Sequence, residues 1–250
     1  DLDGDARFDA VLSFQLHGVV SILYNRHPQV ASRTDYLVEL PQKPIIADTN
    51  GDGEQDILVP TLSGGFAILE GEGGGFAEPV LEGGLAPVEE GVVAEFTGDA
   101  WPDLVYLEGD PPILWLRRGG LEGFGAGEVL DLLEGHRGQV LHALDADVDG
   151  VAELYVGTGG GRVLVYSGSE SRGSLRTDYR TGGVVSGGAP LDVDGDGVVD
   201  VALGDGVNQD LVVLHGGDGP DLEFATRWET LGAGGVLAAD WNGDGLTDLV

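Results

Sequence analysis

Asp192-Val-Asp-Gly-Asp-Gly-Val-Val-Asp200 places carboxylates at positions one, three, five and nine of a nine-residue loop, with Gly197 at position six. Calcium takes about six to eight oxygen ligands, which alternate side chains and one backbone carbonyl, predicted at Val198, would supply. Gly197 favours the left-handed backbone that so tight a turn requires. The apolar run Val201–Leu203 follows directly, which indicates that the loop leads into a β-strand.

The same loop recurs at a nearly constant spacing along the chain. Copies begin at Asp1, Asp48, Glu95, Asp145, Asp192 and Asp240, in steps of 47, 47, 50, 47 and 48 residues. Each loop is named below after its first residue. A single Asp-Gly turn is common in hairpins and indicates little by itself. Its recurrence at a regular spacing indicates a repeat protein. Periods of roughly 40 to 50 residues are typical of β-propeller blades.

Each period contains four short segments that are separated by turns. In the period that starts at Asp192 they are Val201–Leu203, Leu211–Leu214, Glu223–Thr230 and Gly234–Ala239. Short runs of this kind between Gly-rich turns indicate strands, and only Val129–Leu133 hints at a helical turn. A parallel β-solenoid has much shorter coils than this period. The sequence therefore predicts an all-β fold, a β-propeller of four-stranded antiparallel blades of about 47 residues each.

The repeats resemble the FG-GAP/VCBS repeats of calcium-binding β-propellers, found in integrin α-subunits and in many bacterial surface proteins. The segment Asp240-Trp-Asn-Gly-Asp-Gly-Leu-Thr-Asp-Leu-Val250 is close to the consensus of that family, and Gly187–Pro190 reads Gly-Gly-Ala-Pro. The resemblance spans all 250 residues. It implies one propeller domain over residues 1–250, expected to be a piece of a six- to eight-bladed ring, most often seven, with incomplete first and last blades. A closed five-bladed ring is the alternative.

Five loops offer a plausible set of metal ligands. The predicted ligands are side-chain oxygens at positions one, three, five and nine and the backbone carbonyl at position seven. They are Asp1, Asp3, Asp5, Arg7 and Asp9; Asp48, Asn50, Asp52, Glu54 and Asp56; Asp145, Asp147, Asp149, Val151 and Glu153; Asp192, Asp194, Asp196, Val198 and Asp200; and Asp240, Asn242, Asp244, Leu246 and Asp248. The Glu95 loop has Thr97, Ala100 and Pro102 at positions three, six and eight, so a metal-free turn is expected there.

The ligand pattern favours Ca²⁺ over other ions, with about five structural sites. An EF-hand needs a glutamate at position twelve of its loop. Position twelve here is Leu12, Val59, Tyr106, Val156 or Leu203, on predicted strands. Zinc is disfavoured because the chain has no cysteine and the ligands are all hard oxygens. Magnesium demands a stricter octahedral geometry than such a ligand-rich loop provides.

The net charge of −32 limits the possible partners. Eighteen of the 44 acidic residues are predicted to bind through their side chains in the five loops, and bound cations would neutralise part of that charge. With 12 basic residues there is no basic patch for nucleic acid or anionic lipid.

No apolar run approaches the roughly 18 residues of a membrane span, so direct membrane insertion is not expected. Weak calcium modules work where calcium is millimolar, which favours an extracellular or cell-surface location, although this segment shows no signal peptide.

Residues for catalysis are not apparent in the sequence. Five scattered histidines lack metal-ligand spacing and are expected to be surface or strand residues: His17, His27, His136, His142 and His215. We therefore expect a non-enzymatic ligand-binding or adhesion module for an extracellular protein or glycan. The alternative is the propeller portion of a larger secreted carbohydrate-active enzyme, a lyase or hydrolase, or a lectin.

Overall fold

The computed structural model describes residues 1–25, 32–84, 86–121, 123–133, 138–145, 149–168, 174–181, 183–217, 219–229, 236, 238–239, 241 and 247–249. Within these ranges the chain is built from β-strands, with a single 3₁₀ turn at Gln15–His17. The strands are β1 (Ala10–Phe14), β2 (Val19–Tyr24), β3 (Ser32–Leu37), β4 (Ile45–Ala47), β5 (Asp56–Pro60), β6 (Phe66–Leu69), β7 (Val80–Glu82), β8 (Val88–Ala94), β9 (Asp103–Glu108), β10 (Ile113–Arg117), β11 (Gly127–Asp131), β12 (Gly138–Leu144), β13 (Glu153–Thr158), β14 (Arg162–Ser167), β15 (Ser174–Arg180), β16 (Val185–Leu191), β17 (Asp200–Asp205), β18 (Asp210–Gly217), β19 (Gly219–Glu229), β20 (Ala238–Ala239) and β21 (Asp248–Leu249).

Strands that follow one another in the chain are neighbours in each sheet. Four sheets have four strands each, β4 to β7, β8 to β11, β12 to β15 and β16 to β19. Strands β1 to β3 form a three-stranded sheet, and β20 pairs with β21. Pairing is antiparallel wherever the register is defined, as between β16 and β17 and between β17 and β18. Four-stranded antiparallel sheets of this kind are the blades of a β-propeller.

Each acidic loop after the one at Asp1 joins the first strand of a sheet to the second. The Asp48 loop connects β4 to β5, and its position nine, Asp56, is the first residue of β5 and pairs with Ala47. The Asp192 loop connects β16 to β17 in the same way, where Asp200 pairs with Leu191. The sequence period starts at the loop, whereas the hydrogen-bonded sheet starts one strand earlier, because a tight hairpin joins antiparallel neighbours.

The second strand of each four-stranded sheet is buried along nearly its whole length. All five residues of β5 and all six of β17 are buried, and Ile57, Leu58 and Val59 are fully inaccessible to solvent. Consecutive apolar residues are expected in a strand that is covered on both faces. The outer strand β7, in contrast, has exposed Val80 and Leu81. The loops are thus attached to the most buried part of each blade.

The chain forms two compact units, each with its own core. One unit comprises Asp1–Val93 and Trp101–Val129, and the other comprises Ala94–Ala100 and Leu130–Val250. The core of the first unit includes Ile22, Ile57 and Leu69, and a second cluster in which Phe66 meets Tyr106 edge to face at 5.2 Å between ring centroids. The core of the second unit includes Tyr155, Val165, Leu203, Val212 and Leu214. No helix in the described ranges is long and apolar enough to span a bilayer.

Two local details differ from the sequence pattern. The weak helical signal at Val129–Leu133 is not followed: Val129–Asp131 are the last three residues of β11, because pairing with β10 outweighs a short local pattern. The polar third segment of the first period, Tyr36–Leu40, is predicted as a strand, but β3 ends at Leu37, and Leu40 has a left-handed φ of 46° that is incompatible with strand geometry.

Candidate metal centre

The position-one aspartate accepts backbone N–H groups of its own loop in the Asp1, Asp48, Asp145 and Asp192 loops. In the Asp192 loop, Asp192 Oδ1 accepts the N–H of Gly195 at 2.7 Å, and Oδ2 accepts the N–H of Gly197 at 3.0 Å. The equivalent bonds are 2.8 and 2.9 Å in the Asp1 loop and 2.7 and 2.9 Å in the Asp48 loop. Asp145 accepts the N–H groups of Asp149 and Gly150 at 3.0 and 2.9 Å. Position one therefore stabilises the turn with or without an ion.

Positions four and six both adopt a left-handed backbone. Gly195 and Gly197 have φ of 77° and 87°, and the corresponding glycines of the Asp48 loop have 75° and 89°. The sequence pattern predicted this conformation at position six only. Alanine occupies position six twice, and Ala6 and Ala100 hold φ of 64° and 71°. These two loops keep the same turn at a conformational cost of about 1 kcal/mol each.

Exchanging residues at position six is expected to change stability by that amount in opposite directions. Gly197→Ala should lower the free energy of unfolding by about 1 kcal/mol, and Ala6→Gly should raise it by a similar amount. A Cβ on Gly197 meets no atom within 4 Å, so the cost is conformational. Gly51 is at position four of the Asp48 loop, and a Cβ there would lie 2.6 Å from Trp101 Cζ3. Gly51→Ala should therefore lower the free energy of unfolding by more than Gly197→Ala does. Urea unfolding in the presence of EDTA measures each difference, and equal losses for Gly197→Ala and Gly51→Ala would contradict this explanation.

In the Asp48 and Asp192 loops, position nine is buried and ties the loop to the neighbouring hairpin. Asp56 is fully inaccessible to solvent. Its Oδ2 accepts the N–H of Thr49 at 2.9 Å and its Oδ1 accepts the N–H of Gly71 at 2.9 Å. Asp200 makes the same pair of bonds with Val193 and Gly216, at 2.7 and 2.9 Å. The sequence pattern identified this residue only as a ligand, whereas the structure also makes it an anchor between three segments of one blade.

Carboxylates at positions one, three and nine converge in two of the loops. One oxygen from each of Asp1, Asp3 and Asp9 lies within 4.8 Å of the others, and the same holds for Asp192, Asp194 and Asp200. These are the groups of this kind in the part of the chain that the structure describes. Three like charges so close together repel one another, and a divalent cation between them would remove that repulsion. The donor set consists of hard oxygens, which fits Ca²⁺.

Position five does not join this group in the described loops. Asp5 and Asp196 each accept the N–H of position seven, at 3.0 and 2.8 Å, and the Asp5 carboxylate also pairs with the Arg7 guanidinium at 3.3 Å. The copies of this bond in the Asp48 and Asp145 loops, from Glu54 N–H to Asp52 and from Val151 N–H to Asp149, are both 2.8 Å long. The structure thus shows the backbone N–H of position seven donating to position five. The backbone carbonyl of position seven stays a predicted metal ligand.

The remaining predicted ligands fall into two groups. Asp147, Asp240, Asn242, Asp244 and Leu246 lie outside the described residues. Glu153 is buried at the start of β13, as position nine is in the Asp48, Glu95 and Asp192 loops. Asp248 accepts the N–H of Trp241 at 3.0 Å, which repeats the bond that Asp56 and Asp200 make to position two.

One histidine that the sequence left unassigned lies beside the Asp192 loop. His215 is on β18, and its Nδ1 is 3.0 Å from Asp200 Oδ1 and 3.6 Å from Asp194 Oδ2. No motif spacing marks this residue, because it lies 15 positions after Asp200 and approaches it only through strand pairing. The feature that could have pointed to His215 is its position directly before Gly216, whose backbone N–H bonds to Asp200.

Ionisable groups with raised pKa lie in the sheets and have structural explanations. Burial raises the pKa of Glu90 on β8, and the Lys43 ammonium 3.4 Å away opposes that rise. Burial also raises the pKa of Tyr166, and its hydroxyl donates to Asp131 Oδ2 at 2.8 Å. Both groups therefore belong to the packing of the blades.

Comparisons with known proteins show the fold. No family of known proteins and no curated protein matches the sequence. Seventy chains of solved structures are similar. One is BBS1N in complex with ARL6DN, soaked with mercury, with a TM-score of 0.58 and 12% identity over 91% of this chain and 66% of that chain. The same complex soaked with lead has a TM-score of 0.53 and 15% identity over 75% of this chain and 56% of that chain. Apo AztD from Citrobacter koseri has a TM-score of 0.48 and 11% identity over 90% of this chain and 60% of its own. This chain therefore spans 56 to 66% of the length of these structures. The predicted all-β fold of four-stranded antiparallel propeller blades is confirmed.

Proposed function

We propose that this chain is a calcium-binding β-propeller of the FG-GAP/VCBS type and acts as a non-enzymatic binding module for an extracellular protein or glycan. The observation that carries the proposal is the convergence of positions one, three and nine in the Asp1 and Asp192 loops, one in each compact unit. About five such loops along the chain, including Asp145 and Asp240, would each hold one ion.

The charged side chain at position three is an argument for a bound ion, because the turn itself does not require a charge there. In the Asp192 loop, Asp194 Oδ1 accepts the N–H of Asp196 at 3.2 Å. In the Asp48 loop the neutral amide of Asn50 accepts the equivalent N–H of Asp52 at 2.9 Å. An amide therefore satisfies the backbone equally well and adds no repulsion. A second charge beside position one is favourable only where a cation neutralises it.

A bound ion would reinforce a link between parts of the blade that hydrogen bonds already make. Positions one and three belong to the loop, and position nine, at the start of the second strand, bonds both to loop position two and to the hairpin that follows the third strand. An ion supplies positive charge and several coordination bonds at the point where these segments meet. The expected effect is a stiffer loop at the end of each blade and a higher stability.

The binding role is supported by the fold and by exposed aromatic side chains. Propellers host many functions, so the fold alone does not select one. BBS1N, which has a similar fold, is in complex with ARL6DN, and a protein partner is proposed here on that likeness. Trp228 is 44% and Trp241 77% exposed, and indoles so placed can stack on a sugar ring. This favours a glycan as the second candidate, either for a lectin or for a larger secreted lyase or hydrolase.

Two matched substitutions at position three test the metal sites. Asp3→Asn should weaken Ca²⁺ binding at its loop on the order of tenfold, and Asn50→Asp should strengthen binding at the Asp48 loop by a similar factor. Isothermal titration of the whole chain measures both changes. In EDTA, Asp3→Asn should unfold at or slightly above the wild-type temperature and Asn50→Asp at or slightly below it, because the first exchange removes one repelling charge and the second adds one. Titration curves unchanged in both variants would rule out these loops as calcium sites.

A further inference from the structure

We infer that the cavity between the Asp1 and Asp48 loops binds a tryptophan side chain of a protein partner. The inference rests on the proposed function, because it names the group by which a protein ligand would be held. The ligand is an organic side chain, so the site is distinct from the proposed ion sites, although Asp1 and Asp3 line it too.

The cavity lies between two successive loops of the first compact unit. Its volume is about 350 Å³, within the range of about 300 to 1,000 Å³ that is typical of ligand sites. Four of the residues that line it are glycines, namely Gly4, Gly53, Gly73 and Gly74. Because a glycine has no side chain, these walls present bare backbone that a flat ring can approach closely.

The corresponding gap between the next two loops holds an indole. Trp101, at position seven of the Glu95 loop, lies against Gly51, at position four of the Asp48 loop. A Cβ on Gly51 would lie 2.6 Å from Trp101 Cζ3 and 3.3 Å from Cη2, so the six-membered ring of the indole covers the Gly51 Cα. A gap of this type therefore accepts an aromatic ring against glycine backbone.

In the gap beside the Asp1 loop the same two positions are Gly4 and Glu54, and both line the cavity. A Cβ on Gly4 would meet no atom of the described chain within 4 Å, so the space above this glycine is open. The Glu54 side chain turns to the hairpin between β6 and β7, where its Oε2 accepts the N–H of Gly73 at 3.1 Å. Position seven thus supplies a carboxylate at the edge of the gap, where Trp101 supplies a ring in the next one.

The lining of the cavity favours a neutral indole. Asp1, Asp3 and Glu54 place carboxylates around it. An indole combines a large apolar body with an N–H donor, which usually finds an acceptor when the ring is buried. A phenylalanine ring has no such donor, and a ligand with its own carboxylate would be repelled. The expected occupant is therefore a tryptophan residue within a polypeptide, whose α-carboxylate is an uncharged peptide group.

The test uses N-acetyltryptophanamide, a neutral mimic of a tryptophan residue, added to the whole chain. Isothermal titration should show one binding site on the wild type. N-acetylphenylalaninamide should bind roughly tenfold more weakly, because it has no N–H donor on its ring. Glu54→Trp should abolish binding, since an indole at position seven would fill this gap as Trp101 fills the next. Val80→Trp is the matched control: it adds an indole at an exposed position of β7 in the same blade and should bind the probe as the wild type does.

Each outcome decides for or against the indole site. Equal affinity of the probe for wild type and Glu54→Trp, or no binding to the wild type, would overturn it. Tighter binding of free tryptophan than of the amide would also overturn it, because the site would then recognise a charged small molecule and not a residue of a partner. If Glu54→Trp does not fold, as judged by circular dichroism, Trp101→Ala decides: it empties the next gap and should bind one further equivalent of the probe, and an unchanged stoichiometry contradicts the inference.

The same titrations separate the indole site from the calcium sites. Probe binding that Glu54→Trp abolishes, in a chain that binds no Ca²⁺ at any loop, would refute the proposed calcium function and leave the indole site standing. Calcium binding without probe binding would overturn the indole site and leave the proposed function standing.

Discussion

Replacing Asp56 with alanine is expected to lower the free energy of unfolding by about 3 to 5 kcal/mol, because three donors lose their acceptor in a buried site. Asp56 is fully inaccessible to solvent and accepts the N–H of Thr49 at 2.9 Å, the Thr49 hydroxyl at 2.5 Å and the N–H of Gly71 at 2.9 Å. An alanine here leaves these groups without a partner at the start of β5, the most buried strand of its blade. Urea unfolding in EDTA measures the loss without any contribution from metal.

Asp52→Ala is the matched control in the same loop. Asp52 is exposed at position five, where its carboxylate accepts the N–H of Glu54 at 2.8 Å. Its removal should cost less than about 1 kcal/mol, since water replaces the lost acceptor. Similar losses for the two variants would show that position nine has no anchoring role and that Asp56 matters only as a possible ligand.

Removing divalent cations is expected to lower the melting temperature by roughly 10 to 20 °C. A ligand held at 100 times its Kd stabilises the folded state by about 2.7 kcal/mol per site, which is about 5 kcal/mol for two sites. The Asp1 and Asp192 loops are the two in which three carboxylates converge. For a chain of this length each kcal/mol shifts the midpoint by about 2 to 4 °C. Thermal unfolding followed by circular dichroism, in millimolar Ca²⁺ and then in EDTA, measures the difference.

Two controls separate site binding from general charge screening. The net charge is −32, so any salt reduces repulsion across the surface. Sodium chloride at matched ionic strength should restore little of the lost stability. The Asp3→Asn variant should show a smaller response to Ca²⁺ and a midpoint in EDTA no lower than that of wild type, because it has one repelling charge fewer. Identical melting curves in Ca²⁺ and in EDTA would mean that backbone hydrogen bonds to position one are sufficient to hold the loops.

The inner strands were predictable because their signal is local. Val201–Leu203 and Leu211–Leu214 are apolar runs between turns, and they lie within the strands β17 and β18. Four strands per period were predicted, but the bounds of the outer strands β7 and β11 were not, because one face meets solvent and pairing with the neighbouring strand determines them. Exposed Val80 and Leu81 in β7 show that apolar content alone does not mark such a strand.

The candidate sites were predictable in residue type but only partly in arrangement. The spacing of Asp1, Asp3 and Asp9 identified side chains that the fold does bring together. Position five was also predicted as a ligand, but its carboxylate is directed to the backbone of position seven. The anchoring bonds of position nine and the approach of His215 depend on residues 15 or 16 positions away. A nine-residue loop motif cannot include partners that are so far apart in the sequence, because the pairing of strands brings them together.

Anomalous diffraction from crystals grown in Ca²⁺ tests the central claim most directly, since it locates the ions. The account predicts a peak between the carboxylates of Asp1, Asp3 and Asp9, at calcium-to-oxygen distances of about 2.3 to 2.6 Å. Well-resolved density at those carboxylates that contains only water, in crystals with millimolar Ca²⁺, would contradict it.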